Sequence, residues 1–141
     1  MADPAPLIRA RLKAEIPELR AVRGTVDFAA IGRNLITFPA AFVFLAADGA
    51  TPNTRAVGAF VQNITADVAV VLCVKGANDP TGEKTSDELE DLRAKIRTAL
   101  IGWEPESGFE PVGLRQGKLL GFKDGVAFWQ DTYQARDEFR A

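Results

Sequence analysis

The sequence contains no histidine and only one cysteine. Histidine is the commonest general base and the commonest metal ligand in proteins, so its absence argues against most hydrolytic and metal-dependent catalysis. A zinc ion would have to be held by Cys73 and carboxylates alone, which is an unusual ligand set. A single cysteine forms no internal disulfide, and this suits assembly in a reducing cytoplasm. We therefore expect no cofactor, no metal and no enzymatic activity.

Long apolar runs and a strong charge excess are also missing. The longest apolar stretches, residues 40–47 and 68–74, are far shorter than the ~20 residues that cross a bilayer as a helix. The first residues lack the basic-then-apolar order of a signal peptide. The 17 basic and 19 acidic residues give a net charge of −2, whereas nucleic-acid binders usually carry a basic excess. We expect neither a membrane partner nor sequence-specific DNA binding.

The composition is that of a folded protein. The chain has 141 residues, of which 47% are hydrophobic and 26% are charged. This length and balance suit one domain of ordinary size that buries a core of its own. Residues 1–141 are therefore predicted to form a single domain.

Two apolar stripes with helical spacing predict two main helices. The first opens at Pro4 and Pro6 and carries Ile8, Leu12 and Ile16 at intervals of four residues. The second is expected to begin at a capping box of Thr85 and Glu88 and to end near Gly102. Its core stripe comprises Leu89, Leu92, Ile96, Ala99, Leu100 and Trp103.

Alternating apolar residues and turn signals predict the strands. Residues 40–46 form an apolar strand, and the Asp-Gly-Ala-Thr-Pro-Asn sequence at 48–53 is expected to be a loop. Gln116-Gly117 and Asp124-Gly125 are expected to be tight turns, and residues 134–141 to be loose. The fold class is therefore α+β: a mixed, largely antiparallel β-sheet with two main α-helices packed on it and a C-terminal β-meander. The strands of that meander are residues 112–115, 118–122 and 126–133.

Residues 57–75 form the most informative stretch. One parity is apolar throughout, whereas the other begins with Asn63, Thr65 and Asp67 and turns apolar from Ala69. We predict a strand whose first half has one solvent-exposed face and whose second half is buried on both faces. At ~3.3 Å per residue it would extend about 60 Å, but a domain of this size is under ~40 Å wide. The segment therefore either bends within the domain or projects beyond it, where its backbone would need a partner.

Several chemical motifs have structural explanations. The segment 76–85 lies between a strand and a helix, as a phosphate-binding loop does, but five residues separate its glycines and Glu83 stands between glycine and lysine. The acidic residues 87–91 suit the positive end of a helix dipole. Cys73 lies in an apolar strand and is expected to pack in the core. Phe128 and Trp129 must face opposite sides of their strand, so one is core and the other lies under a helix or at an interface.

Three segments together resemble the tail terminator proteins of long-tailed bacteriophages and prophages. The first runs from Leu89-Glu90-Asp91-Leu92-Arg93 to Gly102-Trp103-Glu104-Pro105, the second is Gly117-Lys118-Leu119-Leu120 followed by Asp124-Gly125, and the third is Phe128-Trp129-Gln130-Asp131-Thr132-Tyr133. With weaker similarity near the N-terminus, the resemblance covers residues 7–134. Tyr133 departs from the family's more usual phenylalanine.

This resemblance implies a virion role. Such proteins form a ring, typically a hexamer, on the head-facing end of the tail tube, where they stop tube polymerisation and offer a surface to head-completion or neck proteins. It implies assembly in the host cytoplasm, and passage of DNA through the lumen during ejection. Two alternatives stay open: another neck or head–tail joining protein, and a small ligand-binding or enzymatic α/β domain.

The candidate assembly interface follows from the overlong strand and the predicted turns. Residues 57–67, the 48–56 loop and the 116–125 hairpin are expected to supply contacts, and the long strand is expected to add to a neighbour's sheet. The candidate residues are Arg55, Phe60, Asn63, Thr65, Asp67, Gln116, Lys118, Lys123, Asp124 and Trp129.

Overall fold

A computed structural model describes residues 3–24, 37–53, 58, 60–76, 83–123 and 125–140. The first helix, α1, spans Ala5–Glu15 and begins with proline in its first turn. The Asp3 carboxylate accepts a hydrogen bond of 2.8 Å from the Ala5 amide, which satisfies one of the amides that the first turn leaves unpaired. Ile8 and Leu12 are buried, as their spacing predicts.

The strands in the described ranges form one five-stranded sheet with the order β1-β2-β3-β5-β4. β1 runs parallel to β2, and every other pair is antiparallel. This confirms the predicted mixed, largely antiparallel sheet. The strands are β1 (Ala21–Arg23), β2 (Ala40–Ala50), β3 (Val61–Lys75), β4 (Gly113–Lys123) and β5 (Val126–Arg140).

Both helices pack on one face of this sheet. The second helix, α2, spans Glu83–Leu100 and contacts β3, β5 and α1. The predicted cap at Thr85 is wrong, because Thr85 lies inside the helix. Its buried side chain fits against Gly76, where an added Cβ would come within 2.0 Å of the threonine Oγ1. Neither described helix is long and apolar enough to cross a membrane.

The core has two parts, one on each face of the sheet. The larger part lies under the helices and includes Leu12 of α1, Ile96 of α2 and Val70 of β3. The smaller part lies on the helix-free face and is built around Phe42, Val71 and Cys73. β3 therefore has buried side chains on both faces from Val68 to Val74, whereas its first half is mostly half-buried. This confirms the predicted change along the strand.

β3 is one continuous strand with its own chain on both sides. At ~3.3 Å per residue its 15 residues reach about 50 Å. β5 pairs with it from Val61 to Lys75, and β2 pairs with it from Ile64 to Cys73. The prediction that this strand adds to a neighbour's sheet is therefore wrong, because its backbone groups are already paired.

Two segments expected to be irregular are strands. Asp48, Gly49 and Ala50 continue β2, and the chain leaves the sheet only at Thr51. The segment expected to be loose continues β5 as far as Arg140. Both pair with the long β3, so tertiary pairing outweighs the turn-like and polar composition of the two segments.

The predicted turn at Gln116-Gly117 is also wrong. β4 is a single strand that passes through both residues, with irregular register between Leu114 and Gln116. A Cβ on Gly117 would lie 2.5 Å from Asp131 Oδ1 and 2.7 Å from Arg97 Nη2, so this glycine permits close packing. The C-terminal meander is consequently a two-stranded hairpin that closes between Lys123 and Val126.

Replacing the turn glycine tests this hairpin. Gly125 has φ +77°, a left-handed conformation that costs an L-residue roughly 1–2 kcal/mol. We expect Gly125→Ala to lower the free energy of unfolding by about that amount in urea titrations. Gly113→Ala is the matched control, because Gly113 has no unusual φ and open space around it. Equal effects of the two substitutions would contradict the assigned turn.

Candidate assembly surface

Most of the predicted interface residues lie on the helix-free face of the sheet. Asn63, Thr65 and Asp67 share one parity of β3 with Val71 and Cys73, which belong to the core on that face. Through β5, the register places three residues of β4 on the same face: Gln116, Lys118 and Lys123. Phe60 is 42% exposed just before β3 begins. Arg55 and Asp124 lie outside the described residues.

These positions form one band across the face, because Asp67 lies opposite Gln134 of β5 and Gln116 lies opposite Thr132, two residues away. Thr65 pairs with Arg136, whereas Lys123 pairs with Val126, at the other end of β5. Ten residues of strand separate those two β5 positions, which corresponds to about 33 Å. The band therefore runs from Asn63 and Thr65 near one end of the long strands to Lys123 at the tip of the β4–β5 hairpin.

Asp67 lies in the middle of this band, and its carboxylate is only partly hydrogen-bonded. Its Oδ2 accepts a hydrogen bond from Arg115 of β4. Its Oδ1 is buried and has no hydrogen-bond partner among the residues that the structure describes. A buried carboxylate oxygen without a donor carries a desolvation cost.

An open depression surrounds this ion pair. It has a volume of about 360 Å³ and is lined by residues of β2, β3, β4 and β5. Arg136 donates to Thr65 Oγ1 across it, at 3.4 Å. A shallow polar depression of this kind suits contact with another protein better than the enclosure of a small ligand.

Trp129 does not share a surface with the other candidates. It faces the helices, where the Arg93 guanidinium lies 3.6 Å from the centre of its ring. Its Nε1 donates to Asp131 at 2.8 Å. Of the two aromatic neighbours, Trp129 is therefore the one under a helix, and Phe128 packs on the opposite face.

Asp131 is the centre of a buried polar cluster that joins α2 to the hairpin. Arg97 donates two hydrogen bonds to its carboxylate, at 2.9 and 3.0 Å. Tyr133 donates a third at 3.1 Å, and Trp129 a fourth. Burial opposes ionisation of Asp131, but these donors hold the pKa of its carboxyl below the usual value. The same contact raises the pKa of Arg97, and burial beside Asp131 raises the pKa of Tyr133.

Sequence reasoning missed the exposed apolar residues of β4. Leu119 is 48% exposed, Leu120 43% and Phe122 71%, next to the basic Lys118 and Lys123. The signal was present, since three large apolar residues fall within four positions and occupy both parities. A strand that has one covered face would instead alternate apolar and polar residues.

Two observations on the described residues concern reaction chemistry. Burial raises the pKa of the Cys73 thiol to about 12, so this cysteine is a packing residue and a poor nucleophile. Among the described residues, no group of three or more histidine, cysteine or acidic side chains is placed to hold a metal ion.

Comparison with known families identifies the chain. The model of the family described as "Phage tail terminator protein" matches residues 1–141. The chain belongs to the phage tail terminator family. It is thus a structural protein of the phage tail, as its sequence motifs indicated.

This terminator also resembles a solved structure. A chain in the structure titled "Virion of native gene transfer agent (GTA) particle" aligns with a TM-score of 0.57 and 14% sequence identity. The alignment covers 94% of this chain and 92% of that one. At this identity the likeness establishes a shared fold. A search of curated protein sequences found no match.

Removing the Asp131 carboxylate tests the polar cluster of the terminator. We expect Asp131→Asn to cost about 2–4 kcal/mol of unfolding free energy, because the substitution leaves Arg97 without its partner in a largely buried site. Lys95→Gln is the control, since it breaks only exposed ion pairs with Glu18 and Asp91 and should have a much smaller effect on stability.

The lowered pKa of Asp131 predicts that its contribution to the free energy of unfolding depends on pH. Because the folded-state pKa of Asp131 is lowered, its stabilisation is present above the unfolded pKa of about 3.9 and is lost as pH falls through the folded pKa. The stability difference between wild type and Asp131→Asn should therefore shrink below about pH 4. A constant difference between pH 7 and pH 3 would contradict an ionised Asp131.

Proposed function

We propose that this terminator closes into a homohexameric ring at the head-proximal end of the tail tube. There it stops tube polymerisation and presents a surface to the head-completion or neck protein. The observation that carries the proposal is the family match over the whole chain, residues 1–141. The mature protein is then a virion component that assembles in the host cytoplasm.

The mechanism is geometric. A ring requires a heterologous contact, in which two different surfaces of the same chain meet and the rotation between copies closes. One face of the ring matches the docking surface of a tube subunit, and the other does not, so growth ends there. DNA passes through the lumen without sequence-specific contacts.

The architecture supports this mechanism in two ways. The candidate residues extend along the long strands from Asn63 to Lys123, so different parts of the chain are available to different neighbours. The open polar depression lined by Asp67, Arg115 and Arg136 offers a neighbouring subunit a surface with charges of both signs. Because the family consists of structural proteins, we propose no catalytic step.

Tail length provides the direct test of the capping role. Tails assembled without this protein should show tubes of uncontrolled length in electron micrographs, whereas tails assembled with it should have one length. Purified terminator added to growing tubes should stop elongation at one end. Tubes of normal length in its absence would contradict the proposal.

Charge substitutions test the candidate residues within that role. Asn63→Glu together with Thr65→Glu places two charges on one end of the helix-free face, and should reduce capping without a loss of secondary structure. Lys13→Glu is the matched control, because it changes an exposed charge on α1, away from that face. If the double variant caps as well as the control, residues 63–67 do not form the assembly surface.

A further inference from the structure

The hairpin strand β4 is an open edge of the sheet. It spans 11 residues and pairs only with β5 among the described residues, so one side of its backbone lacks strand partners. Unpaired edges are prone to association, and proteins usually protect them with charge, irregular register or a covering segment. β4 has basic residues and register shifts, but Leu119, Leu120 and Phe122 remain exposed at its end.

Within the part of the chain that the structure describes, the opposite edge of the sheet also has unpaired strand backbone. β1 pairs with β2 only along Ala40, Ala41 and Phe42. Residues 45–50 of β2 are exposed, and their strand neighbours among the described residues are all in β3. Apart from Leu45 and Asp48, this segment contains only alanine and glycine.

The two edges complement each other in size and charge. The strand β4 carries Arg115, Lys118 and Lys123 and no acidic residue, whereas residues 45–50 of β2 carry a single charge, that of Asp48. Small side chains on one strand leave room for large ones on a strand paired beside it. The exposed leucines and Phe122 of β4 therefore find space beside the alanines of β2.

We propose that β4 of one copy pairs with residues 45–50 of β2 in the next copy, so that the sheet continues from subunit to subunit. The proposal deepens the ring described above and rests on it. The contact joins two different edges, so it is heterologous and repeats around a ring.

The alternative pairing of β4 with β4 of a second copy is disfavoured by charge. In an antiparallel β4–β4 pair, all the charged residues on both strands would be basic, and like charges directly opposite destabilise a strand pair. Such a contact would also be isologous, which yields a two-fold dimer instead of a ring.

Cysteine cross-linking tests the contact directly in the full chain. Cys73 is fully buried and burial raises the pKa of its thiol to about 12, so the folded wild-type protein should not react with a maleimide. One cysteine is placed at Ala47, Asp48 or Gly49 of β2 and a second at Lys118, Leu119 or Leu120 of β4. Because consecutive side chains point to opposite faces of a strand, these positions test both faces of the sheet and several registers of the β4–β2 pair. The variants are allowed to cap tail tubes, treated with a short bis-maleimide and separated under denaturing conditions.

We expect at least one double variant to give a ladder of covalent oligomers up to the ring size, and no single variant to do so. The matched control replaces the β2 cysteine by Ser86→Cys, an exposed position on α2, and should give monomers. Dimers from a single β4 cysteine would overturn the proposal in favour of β4–β4 pairing. Tube capping without a ladder in any of the nine combinations would overturn this contact and leave the capping role standing. A failure of the wild-type protein to cap tubes would overturn both.

A charge exchange gives an independent readout. Lys118→Glu should lower the yield of capped tubes several-fold, and adding Asp48→Lys should recover it. Lys13→Glu with Asp48→Lys is the control pair and should show no recovery relative to Asp48→Lys alone. If the exchanged pair is no better than Lys118→Glu alone, these charges do not face each other.

Discussion

A carboxylate buried between a helix and the sheet organises the C-terminal half of this terminator. Asp131 accepts hydrogen bonds from Arg97 of α2 and from Trp129 and Tyr133 of its own strand. The bonds hold the helix and the hairpin in one relative position, because a buried charge tolerates no loss of its partners. They also explain Gly117, since any side chain there would collide with Asp131 and Arg97.

The cluster has consequences for assembly. Trp129, a predicted interface residue, shares the helix-facing side of β5 with Asp131, where it packs against the core and Arg93. Gly117 packs against this cluster within β4, which continues through the position where composition suggested a turn and is a long edge strand among the described residues. The exposed residues Leu119, Leu120 and Phe122 lie on that edge. The surface available to neighbours is thus a product of internal packing.

Local sequence patterns predicted the parts whose causes are local. Side-chain periodicity and turn chemistry predicted the apolar stripes of the helices, the apolar strands and the turn at Gly125. They also predicted the change along β3 from a strand with one solvent-exposed face to a strand buried on both faces. All of these features are found. The wrong predictions concern segments whose secondary structure depends on pairing with a strand that is distant in sequence. Asp48-Gly49 and residues 134–140 have loop-like composition, yet both are strands because β3 pairs with them. Six of the ten candidate residues lie on the helix-free face, whereas the exposed Leu119, Leu120 and Phe122 of β4 were not among the candidates.

The sequence by itself determined that this is a folded α+β protein with no histidine chemistry, and its motifs indicated the tail terminator family before any fold was known. Residue type and short-range spacing carry that information. Only the tertiary structure decided which strands are central and which are edges. Strand order depends on contacts between segments far apart in the chain, which periodicity does not encode. For a protein that works by contact, that order determines which backbone and which side chains a neighbour meets.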